Sequence, residues 1–396
     1  MIAMSSEAAL AAPFRLDEVG VPGLAVSITE VAAAANFWTE LERDCIGSPY
    51  QRLDWVRAFV AAGVEPATEV RVLTARDAAG RPVMVLPLAI CRRFGLRVAG
   101  VVGGKHANYS LPLVAAGQAD RLTEADLRAA LRETGRRLGL DAFVFDNVPR
   151  VWDGRVVPLA EGGIASPSNA YAAELRPDGE ETLKRLMSPD GRRKLRNKEN
   201  NLRRRGDLAF VRARDPETVE TILQAFLRQK GERFRAQGIR DPFEGPGADF
   251  IRRGALHRLD EDAAAIEISG LTLDGQVIAA FGGAVDHSRI SGMFISFDPA
   301  FARQSLGDQL CAQVILDSAA RGRTRFDLGV GEAEYKRRFC NEVEELAGVL
   351  LPVSLRGRAY AAGLAGVRNV KRRAKRSGRA MAAIRAARRL RARLGF

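Results

Sequence analysis

The stretch spanning residues 290–339 restricts the fold of this chain more than any other. Residues 290–297 are a β-type run that stops at Asp298-Pro299, because proline has no N–H with which to prolong a strand ladder. A loop carrying Arg303, Gln304, Ser305 and Gly307 leads into a helical pattern with Leu310, Val314 and Ile315 on its apolar face. Gly322 ends that helix, and Arg325-Phe326-Asp327-Leu328 reads as the next buried strand. A strand, a polar glycine-bearing loop, a helix and a strand together offer free backbone N–H groups to an anion, and a pyrophosphate is one anion that fits.

At 396 residues the chain is long for a single core, so two globular domains are expected. It has no run of about 18 apolar residues, which argues against a membrane-spanning helix. The first residues lack a basic start followed by an apolar block and do not read as a secretion signal. Cys45, Cys91, Cys311 and Cys340 are widely spaced, which fits free thiols in a reducing compartment. No two of His106, His257 and His287 have metal-ligand spacing, so no metal is expected. The expected location is cytoplasmic, or peripheral to the inner membrane.

The net charge of +13 suggests nucleic acid until it is located. Residues 356–396 contain fourteen Lys and Arg and no acid, and removing them leaves residues 1–355 at −1. Basicity is thus a property of the tail. Leu364, Val367, Val370, Met381 and Ile384 are interspersed there, so an amphipathic helix on an anionic membrane surface is one reading and a disordered basic extension another. Nucleic acid is disfavoured, since Tyr360 and Phe396 are the tail's only aromatic residues for stacking.

Along the first half, residues 31–62 predict two helices anchored by Phe37, Trp38, Trp55 and Phe59 and broken at Gly47-Ser48-Pro49-Tyr50-Gln51. Residues 69–75 and 82–91 predict a hairpin, and 98–102 continues the sheet to Gly103-Gly104-Lys105-His106. Thr123 caps a helix over 123–138 that Gly139 stops, and 143–145 is a short buried strand. Residues 150–170 read as loop, and 171–175 as a strand returning to the first sheet. In the second half, 180–187 and 190–205 read as helices and 208–213 as a strand. Asp215-Pro216-Glu217 opens a long helix through Ile222, Phe226 and Phe234. Residues 264–272 and 276–285 form the clearest hairpin, turning at Asp274-Gly275, and 346–353 supplies the last strand of the second half. Both halves repeat one order of elements, which predicts a duplicated α+β unit.

Several pieces of this pattern match a family. They are Arg192-Arg193-Lys194-Leu195-Arg196, the hairpin from Leu273 through Asp274-Gly275 to Ala279, Phe326-Asp327-Leu328-Gly329, and Tyr335-Lys336-Arg337-Arg338-Phe339. Through them the second half resembles the GNAT-like acyltransferases of the CelD/BcsL group, which are linked to bacterial exopolysaccharide and cellulose production. Ser48-Pro49-Tyr50-Gln51 with Trp55 is similar to that group's N-terminal signature, so the resemblance spans about residues 30–355. A more distant resemblance is to the FemAB peptidyltransferases.

The resemblance implies an α+β fold of tandem GNAT-like domains, with mixed, mostly antiparallel sheets flanked by helices and a basic helical tail. It divides the chain into an extension at 1–28, an N-terminal GNAT-like domain at 29–175, an acyltransferase domain at 176–355 and the tail at 356–396. It also implies acetyl-CoA or another acyl-CoA as co-substrate. The strand at 290–297 would then lie along the pantetheine arm, which brings in Phe294 and Ile295. The pyrophosphate would rest on Arg303, Gln304, Ser305 and Gly307, with Gln309 where the family pattern has a second glycine.

Asp327, at the carboxyl end of its strand, is positioned to take a proton from an attacking amine or hydroxyl, although a carboxylate there equally suits turn N–H groups. Glu332 is the second candidate base. Tyr335 can protonate a leaving thiolate, and Lys336 can hold a phosphate or carboxylate of the acceptor. His106, Asn108 and Tyr109 are candidate acceptor contacts. The expected activity is an acyl-CoA-dependent N- or O-acyltransferase acting on a small-molecule or saccharide acceptor of the cell envelope. Two alternatives stand beside it: a non-catalytic, membrane-docked accessory factor of polysaccharide synthesis, and a FemAB-like transferase using aminoacyl-tRNA.

Overall fold

Alternation and turn chemistry build two sheets strand by strand. A computed structural model describes residues 14–15, 24–236, 238 and 241–376. By internal contacts the chain divides into two units, one of residues up to 60, 65–167 and 344–373, the other chiefly of 61–64 and 168–343.

In the first unit β1 (Ala25–Thr29) precedes α1 (Val31–Leu41) and α2 (Leu53–Ala61). The strands β2 (Glu69–Arg76), β3 (Pro82–Arg93) and β4 (Leu96–Val101) follow, then α3 (Glu124–Arg137) and β5 (Ala142–Pro149). Trp38 and Trp55 are fully buried, as anchors of α1 and α2 should be. Thr123 and Asp126 close a reciprocal capping box at the start of α3, and Gly139 ends it at a φ of +61°.

The second unit begins with β6 (Ala170–Glu174), α4 (Gly179–Leu186), α5 (Pro189–Arg203), β7 (Leu208–Arg212) and α6 (Pro216–Ala236). Next come α7 (Pro246–Leu256), β8 (Ile266–Leu273), β9 (Gln276–Val285), β10 (Arg289–Phe297), α8 (Leu306–Ala320) and β11 (Arg325–Val330). The short α9 (Lys336–Phe339) and β12 (Glu342–Glu344) end it, and β13 (Leu346–Pro352) and α10 (Leu355–Arg376) complete the described chain. Asp274 and Gly275, with φ of +49° and +79°, make the two-residue turn expected between β8 and β9.

The two sheets share one plan. The ten-stranded sheet runs β1-β2-β3-β4-β5-β13, with a two-residue strand at each edge and the short strands Cys45–Ile46 and Leu113–Ala115 beside β3, and the seven-stranded sheet runs β7-β8-β9-β10-β11-β6-β12. In each, four strands pair antiparallel in succession. A helix then crosses over to a parallel fifth strand, β4 with β5 in one and β10 with β11 in the other. A sixth, antiparallel strand closes each sheet.

That sixth strand corrects two expectations. The strand at 170–174 does not return to the first sheet: it pairs with β11, Ala172 opposite Asp327. The strand at 346–352 likewise does not finish the second half but pairs with β5 of the first sheet, Leu350 opposite Val144. Each sheet is thus closed by a strand from the other half of the sequence. The helix α7 was not anticipated, and short strands at Val151–Trp152, Arg155–Val156 and Ile164–Ala165 interrupt the expected loop. All four cysteines are free.

The tail is helical as far as Arg376, and residues 377–396 lie outside the described residues. Within α10 some of the positive charge is engaged, Arg356 with Asp141 at 3.4 Å and Arg368 with Asp146 at 2.6 Å. No helix among the described residues is long and apolar enough to cross a membrane.

Candidate active site

Parallel pairing between β10 and β11 extends over only three residue pairs, Arg289 with Arg325, Ile290 with Phe326, and Ser291 with Asp327. Beyond that point β10 continues to Phe297 and β11 to Val330 without facing each other. The sheet therefore forks, and beyond Ser291 the edge of β10 that faced β11 is no longer part of their ladder. On its other edge β10 carries an irregularity: Gly283 faces Gly292 and Gly282 faces Phe294, which leaves Met293 without an opposite residue. A bulge of this kind re-aims backbone and side chains locally.

The fork is held rigid from both ends. At its vertex Asp327 is fully buried and accepts from Ser291 Oγ at 2.7 Å, from Arg289 Nη1 at 3.2 Å and from the backbone N–H of Gly329 at 3.0 Å. Farther along β10, the Phe294 ring stacks on Phe226 with centroids 3.9 Å apart and meets Phe243 edge-on at 5.8 Å. It occupies the space that a side chain at Gly282 would need. Ser296 donates to Gln229 Oε1 at 2.7 Å, and Lys230 Nζ donates to the Ile295 carbonyl at 3.3 Å. Burial lowers the Lys230 pKa.

A helix start adjoins the part of β10 that runs past the fork. Residues Pro299–Gln304 form a 3-10 turn, and Ser305 adopts the left-handed conformation at φ +52° before α8 begins. The first N–H groups of α8, those of Leu306 and Gly307, have no acceptor within the helix. A Cβ at Gly307 would lie 3.7 Å from Ile295 Cδ1 and 4.0 Å from Phe297 Cδ1, which sets this turn against the fork. Lys198 of α5 donates to Ser305 Oγ at 2.5 Å. Asp308, the acid of that first turn, is paired with Arg338 at 3.1 Å. Burial raises its pKa, which Arg338 and Lys198 counter. Gln309 is buried and donates to the Gln304 carbonyl at 2.8 Å, so it braces the loop from behind.

The expected site residues separate into two groups. Gln304, Ser305, Gly307 and the backbone of Ile295 lie together at the fork, with Arg303 exposed on the same loop. Phe294 contributes its main chain there, since its ring belongs to the core. Tyr335 is half-buried against the apolar cluster of the second unit, and burial raises its pKa, so the phenol keeps its proton. Glu332 is exposed and accepts from Ser168 Oγ at 3.2 Å and Asn169 N–H at 3.1 Å.

Five of the expected site residues are engaged within the fold itself. Asp327 is fully buried and held by Arg289 and Ser291, which makes it a rivet of the fork. Lys336 is buried and donates to the carbonyls of Gly329 at 3.0 Å and Val330 at 2.9 Å, so its ammonium holds the end of β11. Tyr109 is fully buried, its hydroxyl on Glu344 at 2.6 Å and its ring 4.8 Å from Trp152. Asn108 donates to Tyr50 at 2.6 Å, and His106 is buried beside Phe59. These last three build the core of the first unit.

Lys198, Gln229 and Lys230 are the polar residues that the sequence reading missed. The sign for Lys230 was present: it stands four residues after Phe226 and four before Phe234, a cation on the buried stripe of α6.

Residues 189–337 match the family model described as "Acetyltransferase (GNAT) domain". Among solved structures, the chain is similar to FemX, with a TM-score of 0.54 and 13% identity over 81% of this chain and 96% of that one. It is also similar to the C-terminal domain (DUF2156) of a putative lysylphosphatidylglycerol synthetase from Agrobacterium fabrum, with a TM-score of 0.50 and 13% identity over 85% of this chain and 95% of that one. At such identity the likeness establishes the fold alone. No curated protein matches the chain by sequence. The architecture is a tandem GNAT-like fold, and its second unit carries the stretch that matches the acetyltransferase model.

Proposed function

We propose that the second unit is an acyl-CoA-dependent N- or O-acyltransferase, of acetyltransferase type, acting on an amine or hydroxyl of a cell-envelope acceptor. One observation carries this reading: the sheet forks after Ser291 and Asp327, directly beside the uncapped start of α8. An open strand edge can hydrogen-bond an amide-bearing arm, and free helix N–H groups suit a pyrophosphate. Lys198 adds a cation at the loop, and Arg338 neutralises the one acid of that turn.

In this reading a backbone N–H near the Met293 bulge polarises the thioester carbonyl and stabilises the developing oxyanion. Glu332, exposed at the carboxyl end of β11, accepts the acceptor's proton directly or through one water. Tyr335, protonated by virtue of its burial, returns a proton to the leaving thiolate. The acceptor class draws on the CelD/BcsL resemblance, and the likeness to a putative lysylphosphatidylglycerol synthetase supports an acceptor of the cell envelope. The buried Asp327 and the engaged Lys336 favour a second reading, a protein that keeps the fold and has lost the chemistry.

Calorimetric titration with acetyl-CoA and longer acyl-CoAs decides. We expect binding, weakened about tenfold in Lys198→Ala by loss of one charge-assisted contact. Absence of heat with every acyl-CoA overturns the proposal, whereas binding without turnover selects the second reading.

A further inference from the structure

The turn between β3 and β4 is built against its own sequence. Arg93 pairs with Leu96, so the connection is the two residues Phe94 and Gly95, with φ of +52° and +76°. Such turns favour asparagine or aspartate ahead of the glycine, because bulky side chains adopt left-handed backbone reluctantly. Phe94 gains no packing in return, since it is 95% exposed. A residue that fits neither its backbone nor its surroundings points to a partner.

The start of α10 lies beside it. Arg356 donates to the Gly95 carbonyl at 3.2 Å, and Arg93 lies close to Tyr360. An open groove is lined by Arg92, Gly95, Arg97, Leu355 and Arg356, with Asp141 as its one acid. Leu355 is 79% exposed, so two large apolar side chains project at one corner. Arg92 and Arg93 before the turn and Arg356 and Arg358 on α10 are all exposed, Arg356 being also paired with Asp141 at 3.4 Å.

We propose that this corner of the first unit docks on an anionic lipid surface, Phe94 and Leu355 entering the interfacial layer while Arg92, Arg93 and Arg358 face lipid phosphates and Arg356 braces the turn. Apolar tips beside cations are what such a surface selects. The leucine argues against nucleic acid, because it has no π-face on which a base could stack. This docking is independent of the acyltransferase reading, and vesicle binding and acyl-CoA binding can fail separately.

Sedimentation of the full chain with vesicles of phosphatidylcholine, alone or mixed with phosphatidylglycerol, tests it. We expect salt-sensitive binding to the mixed vesicles only. Phe94→Asn suits the turn better than phenylalanine, so its thermal midpoint should not fall, yet its partitioning should weaken about tenfold. Leu355→Glu places an acid in the first turn of α10, where the helix favours it, and should weaken binding in the same way. In Phe94→Trp the added indole reports on the corner, because Trp38, Trp55 and Trp152 are all buried. Its emission should shift to the blue with mixed vesicles. Unchanged binding in both Phe94→Asn and Leu355→Glu overturns the proposal. So does a blue shift produced by transfer RNA but not by vesicles, or one produced by raising protein concentration alone.

Discussion

Glu267 of β8 receives two guanidinium groups at once. Arg321 reaches both carboxylate oxygens at 2.8 Å, and Arg323 does so at 2.5 and 2.8 Å. Burial alone would raise the Glu267 pKa, but the hydrogen bonds from Arg323 and Arg321 prevail and hold it at about 2, against an ordinary 4.5. Because the folded-state value is depressed, the stability it contributes is complete above pH 4.5 and is lost as pH falls towards 2. The contribution is on the order of 3 kcal/mol. Glu267→Gln should therefore be destabilised at neutral pH, and its urea midpoint should depend less on pH between those values than that of the wild type. Equal slopes for the two proteins would refute this account. Asp327 follows the same logic and shows where sequence reading stops. Its place at a strand end was legible, but its partners Arg289 and Ser291 stand 38 and 36 residues away in the chain. Only a register between two strands brings them to it, and that converts a candidate base into a structural clamp.

At the scale of elements, the strand–loop–helix–strand unit was legible because each boundary has a local cause. Proline stops β10 at residue 299, Gly322 at φ +78° ends α8, and the apolar pattern of α8 is its own. The fork itself was not legible, since it depends on where pairing stops. What holds it open is the packing of β10 against α6. A Cβ on Gly282 would come within 2.1 Å of Phe294 Cζ, so Gly282→Ala must displace the ring from Phe226 and Phe243. We expect a loss of about 2 kcal/mol from overpacking, read as a lower urea midpoint. Adding Phe294→Leu should recover part of it. If the double variant is less stable than the single, the contact is not the cause.

At the scale of the whole molecule, the repeated order of elements was visible in the sequence, and the matching strand orders of the two sheets give it physical form. The exchange of closing strands was not visible, because Ala170–Glu174 alternates like any strand and nothing in it names its neighbour. The exchange has an experimental consequence. A fragment cut at residues 176–355 would lack β6, which stands between β11 and β12, and would retain β13 without a partner. We expect it to show no cooperative thermal transition by circular dichroism, because a strand interior to its sheet is missing. A sharp transition in that fragment would show that the sheet tolerates the loss.

The placement of β13 also sets a schedule for biosynthesis. Residues 142–149 emerge from the ribosome some two hundred positions before Leu346–Pro352, the strand that must cover their free edge. At about 5–20 residues added per second, the nascent sheet waits for tens of seconds with an open flank. During that interval the chain is most exposed to mispairing with its neighbours. A protein laid out in this way depends on synthesis running through to its last strand, and its truncated products are expected to be cleared, not stored.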